Sequence, residues 1–128
     1  MRVMVLGSES TIERLSPFLA VEGIEASSTS DGLQAMALLK QQVFDLAAVD
    51  CLVDGAEAAC SLIRKNSDIP VVLLVDRKQI NWENLESLGI DGYIPDGVGG
   101  AELVARLRAV IRRWAFEAGP VGNRNPSN

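Results

Sequence analysis

The chain has 128 residues and a mass of 13.7 kDa, enough for one domain with its own core and too little for two. An apolar content of 48% with only 5% aromatic residues describes an aliphatic globular interior. Seventeen acids against twelve bases leave a net charge of −5, which argues against the body of the chain binding nucleic acid by itself.

Residues 3–6, Val-Met-Val-Leu, followed by Gly7, read as a first buried strand ending in a turn. Ser8 or Ser10 caps the next helix, whose Ile12, Leu15 and Leu19 recur at helical spacing. Pro17 predicts a kink or a late start there, and Gly23 a stop. A short second strand over 24–26 precedes a helix capped by Ser30 or Asp31, running through Ala35, Leu38 and Leu39 to about 42.

Residues 44–51, FDLAAVDC, form an apolar run with an acid near each end, the pattern of a strand buried on both faces of a parallel sheet. Asp50 then falls at the carboxyl end, the edge where ligands and chemistry collect in open α/β sheets. The loop 51–55 leads to a helix over 56–65 with Ala59, Leu62 and Ile63 inward.

Residues 70–75, PVVLLV, are a fourth strand with proline at its first position, where no ladder donor is needed. Residues 79–88 carry Trp82 in a helical pattern that Asn81, Asn84 and Gly89 weaken. A fifth strand over 91–94 leads to the longest helix, over 99–117, with Leu103, Leu107, Val110, Ile111 and Trp114 inward and Arg106, Arg108, Arg112 and Arg113 on the other faces. The rest has no apolar face to bury, so 1–117 form the domain and 118–128 a flexible tail or interdomain linker.

Five strands alternating with five helices predict a flavodoxin-like, doubly wound parallel sheet in a three-layer α/β/α architecture. Cys51 and Cys60 match no metal spacing and read as reduced thiols, and the lack of histidine removes the commonest general base. No stretch has the length of a signal peptide or a membrane span, so the expectation is a soluble cytoplasmic protein without membrane contact.

Four fragments in order, DLAAVD at 45–50, IPVVLL at 69–74, GIDGY at 89–93 and ELVARLRAVIRR at 102–113, resemble the receiver domain of bacterial response regulators over roughly residues 2–115. The last helix is most similar to that of receivers preceding a winged-helix DNA-binding domain. The resemblance implies a signalling module, not an enzyme, in which Asp50 takes the position that accepts a phosphoryl group from a histidine kinase.

Family members support that transfer with a divalent cation on an acidic pair after the first strand, a hydroxyl after the fourth and a lysine after the fifth. Here the acidic pair falls on Gly7 and Ser8, with Glu9 beyond, the hydroxyl on Val75 and the lysine on Asp96. A unit charge ~6 Å away at an effective dielectric of ~20 is worth about 3 kcal/mol, so Asp96 opposes a phosphoryl group where lysine would favour it. The loop after Asp50 is also short by about three residues relative to the family, and it lacks the Met-Pro found there.

The resulting expectation is a degenerate receiver, with no cofactor, that acts by protein contact or dimerisation and reaches DNA only through a domain outside this chain. Asp50 would survive as a cap or as an acceptor for the turn at Gly7 and Ser8. The alternative is a working phosphoacceptor that holds Mg²⁺ with substitutes such as Glu9, Asp54 and Asp76, which otherwise read as solvated loop acids and caps.

Tyr93 matches the family's switch aromatic; without a hydroxyl at Val75 it is expected to be fixed, and a lone strand tyrosine otherwise reads as half-buried packing. The resemblance further implies a homodimer through the fourth helix, fifth strand and fifth helix, with Asp91, Glu83 or Glu86 facing Arg106, Arg112 or Arg113. Against it stands a plain solvated basic face. A flavodoxin-like enzyme or nucleotide binder is disfavoured, because Gly7-Ser-Glu-Ser has no phosphate-binding glycine pattern.

Overall fold

The computed structural model describes residues 1–76, 89–95 and 97–118. It contains strands β1 (Arg2–Leu6), β2 (Glu25–Thr29), β3 (Leu46–Asp50), β4 (Val71–Val75) and β5 (Gly92–Pro95). The described helices are α1 (Glu9–Val21), α2 (Gly32–Gln41), α3 (Ala56–Asn66) and α4 (Gly100–Ala118). The helix expected over 79–88, with Trp82, Glu83 and Glu86, lies outside the described residues, as do Asp96 and the tail from 119.

All strand pairs are parallel, in the order β2-β1-β3-β4-β5. Alternate residues of each strand point to opposite faces, which divides the core in two. Val3, Val5, Leu46, Ala48, Val72, Leu74 and Ile94 pack under α1 and α4 with Leu15, Leu19, Leu103 and Leu107. Met4, Leu6, Ala47, Val49, Val71, Leu73 and Val75 pack under α2 and α3 with Ala35, Ala59, Cys60 and Ile63. This is the expected three-layer architecture, and β3 at its centre, with β1 and β4 on either side, is almost wholly apolar.

Some elements differ from the sequence reading. β2 runs through Thr29 rather than ending at Ala26, because an edge strand needs only one ladder and tolerates exposed polar residues such as Ser28. β5 begins at Gly92, one residue late, since Asp91 is used before the ladder starts. Pro17 does not interrupt α1, because it lies on the exposed face, where water can satisfy the carbonyl it leaves without a donor. In α3, Cys60 is fully buried and Leu62 is turned outward against Gly32. In α4, Val104 joins the buried stripe while Ile111 and Trp114 lie at its half-exposed margin.

Candidate functional site at the carboxyl edge of the sheet

β3 carries Asp50 to the carboxyl edge between β1 and β4, where its residue is only 7% exposed. Both carboxylate oxygens have donors from the chain. Oδ1 accepts from the Leu52 N–H at 2.9 Å, and Oδ2 accepts from the Thr11 hydroxyl at 2.5 Å. Asp50 therefore serves as an acceptor, but its partners are Thr11 and Leu52 rather than the turn at Gly7 and Ser8.

Thr11 is the residue that the sequence reading missed. It reaches Asp50 because Ser8 caps α1, accepting from the Thr11 N–H at 3.4 Å and lying 3.1 Å from its hydroxyl. Ser10 is no cap; its hydroxyl lies 3.0 Å from that of Ser8. The signal was present in the spacing: Thr11, Leu15 and Leu19 recur every four residues and are the buried positions of α1.

Gly7 supports the arrangement by leaving room for it. A Cβ there would stand 3.2 Å from Thr11 Cγ2 and 3.4 Å from Asp50 Cβ, so Thr11 and Gly7 fill the corner together. Glu9 is exposed in the first turn of α1, where a negative charge suits the helix dipole. Asp54 is exposed, Asp76 is half-buried, and Val75 is buried in the α2–α3 half of the core.

Among the described residues, no three of His, Cys, Asp and Glu converge where a metal ion could be held. Gly7 and Ser8 offer no carboxylate, and Thr11 already binds Asp50 Oδ2. The described residues do not fit the divalent cation that the family resemblance implies. Both cysteines are free; burial, with the charge of Glu57, pushes the Cys60 thiol up to about 11, and burial chiefly raises Cys51 as well.

The expected interface residues lie just before β5 and on α4. Asp91 lies at the amino edge, where its Oδ2 accepts from Arg64 at 2.9 Å and from the Val71 N–H at 2.8 Å. Arg113 donates to the Asp91 carbonyl at 2.8 Å, and the Arg64 guanidinium lies 5.2 Å from the Trp114 ring centroid. Arg106 pairs with Glu102 at 3.5 Å and Arg108 with Glu22 at 3.6 Å, while Arg112 is exposed. Tyr93 is 43% exposed on β5.

The sheet order, the acid at the end of β3 and the helices on both faces define a receiver-type α/β domain. No protein-family model matches the chain. It is 32% identical to the sensory transduction protein RegX3 of Mycolicibacterium smegmatis, over 93% of this chain and 58% of that protein. It is also 32% identical to the heme response regulator HssR of Staphylococcus aureus, over 78% of this chain and 46% of that one. The receiver domain of the response regulator TorR superposes with a TM-score of 0.78 at 21% identity, over 89% of this chain and 98% of that one. The chain belongs with the receiver domains of response regulators, and it spans about half the length of the curated relatives it matches.

Proposed function

We propose that the chain is an atypical receiver that signals through protein contacts without passing through an Asp50 phosphoryl intermediate. The observation that carries this reading is that each oxygen of the Asp50 carboxylate accepts from a neutral donor, the Leu52 N–H or the Thr11 hydroxyl, beside two positions, Gly7 and Ser8, without a carboxylate. Phosphoryl transfer to a carboxylate needs positive charge to offset the charge that gathers on the phosphate oxygens. Among the described residues Asp50 has only neutral donors.

Adding beryllofluoride and Mg²⁺ while recording amide NMR spectra tests this. The Asp50, Leu52 and Thr11 resonances are expected to stay in place, and saturable Mg²⁺-dependent shifts centred on them would refute the reading.

The same domain is proposed to regulate transcription through a DNA-binding domain outside this chain. Support comes from the similarity of the last helix to receivers of that type, and from the curated relatives, which extend well beyond the matched region. A homodimer through β5 and α4 is part of this reading and rests chiefly on the exposed Arg112, because Asp91, Arg106 and Arg113 already have partners within the chain. Light scattering is expected to show association that weakens in Arg112→Glu; a strict monomer at high micromolar concentration would refute the dimer.

A further inference from the structure

A cleft of about 580 Å³ opens at the carboxyl edge beside Asp50, within the range of about 300–1,000 Å³ typical of small-molecule sites. One wall is apolar and comes from both partners of the α1–α4 layer: Leu15 and Phe18 from α1, and Ile94, Val98 and Leu103 from β5 and the entry to α4. Phe18 is 44% exposed yet positioned, because its ring packs so closely on Gly100 that a Cβ there would collide with it.

Asp50, Asp76 and Arg14 line the cleft, and of these Asp50 and Arg14 have no charged counterpart among the described residues. Asp50 is nearly buried and receives one neutral donor on each oxygen, although a carboxylate has about four acceptor sites. Arg14, one turn beyond Thr11 on α1, lines the cleft and pairs with no acid among the described residues. A buried charge such as that of Asp50 is ordinarily paired, and the guanidinium of Arg14, on the exposed side of the cleft, is built to grip a carboxylate.

We propose that this cleft binds a zwitterion with an apolar body, of the size of an aromatic amino acid or an apolar dipeptide. Its ammonium group sits at Asp50, its carboxylate at Arg14, and its body on Leu15, Phe18 and Leu103. A simple anion would satisfy Arg14 but meet the charge of Asp50, and a simple cation would do the reverse. A ligand carrying both groups satisfies each. The inference rests on reading Asp50 as a carboxylate that is not phosphorylated.

The test is an NMR titration of the whole chain with L-tryptophan and with leucyl-leucine, set beside N-acetyl-leucyl-leucine and leucyl-leucine amide. Saturable shifts at Leu15, Phe18 and Leu103 are expected by ~1 mM, with affinity lower by about tenfold for each blocked dipeptide and for Arg14→Gln with the free dipeptide. The proposal is overturned if neither zwitterion gives saturable shifts, if either blocked dipeptide binds as tightly as the free one, or if Arg14→Gln binds unchanged. The beryllofluoride spectra of the same sample separate the two readings. An Mg²⁺-dependent shift at Asp50 overturns the phosphate-free reading, whereas absent ligand shifts in a sample silent to beryllofluoride overturn the zwitterion site alone.

Discussion

The two edges of the sheet each hold a carboxylate, and they use it in opposite ways. At the amino edge, Asp91 is locked by the Arg64 guanidinium and the Val71 N–H, with Trp114 stacked near Arg64 and Arg113 on the Asp91 carbonyl. At the carboxyl edge, Asp50 has a hydroxyl and an amide but no cation among the described residues. The first arrangement ties α3, β4 and α4 together and is architecture. The second leaves a buried charge poorly compensated beside an open cleft, which is how a site differs from a brace.

The largest expected effect therefore lies at the amino edge. Asp91→Ala strips Arg64 of its partner and leaves the Val71 N–H without an acceptor, which costs about 2–4 kcal/mol in urea unfolding. At the carboxyl edge, Thr11→Val is expected to cost about 2 kcal/mol, since it removes a donor from a buried carboxylate. Asp50→Asn is expected to stay within about 1 kcal/mol of the parent, because an amide oxygen can still accept from either donor. If Asp50→Asn proved as damaging as Asp91→Ala, the contrast between brace and site would fail.

A pH series separates burial from pairing. The fold keeps Cys60 protonated beyond 9.0, its ordinary value, up to about 11. Its contribution is present below about pH 9 and is lost as pH rises toward 11, the loss reaching about 2 kcal/mol there. Cys60→Ala is expected to have lower stability at neutral pH but a flatter alkaline slope in chemical denaturation. An unchanged slope would contradict the burial. The smallest effect belongs to the cap: Ser8→Ala should cost about 1 kcal/mol and loosen Thr11, so it should weaken the Asp50 corner without touching the amino edge.

How much of this was legible in the residues follows the range of each interaction. The strand ending at Asp50 and the alternation of strands and helices were readable, because buried parallel strands are continuous apolar runs and their period is local. β2 was half-hidden because an edge strand is written in serines and threonine. The Thr11–Asp50 bond spans 39 residues and the Arg64–Asp91 pair 27, so no local pattern announces either one. Asp91 was placed before the fifth strand by the order of elements, but its pairing with Arg64 comes from packing that no order of elements announces. The inward phase of α3 was misjudged at Leu62, because the packing of α3 against α2 chose Cys60 instead.

The central claim is that Asp50 is a hydrogen-bond acceptor rather than a phosphoryl acceptor, and intact mass after incubation with acetyl phosphate and Mg²⁺ tests it most directly. The account predicts that the mass of the chain stays unchanged. A stoichiometric, Mg²⁺-dependent phosphoryl adduct that disappears in Asp50→Ala would contradict it.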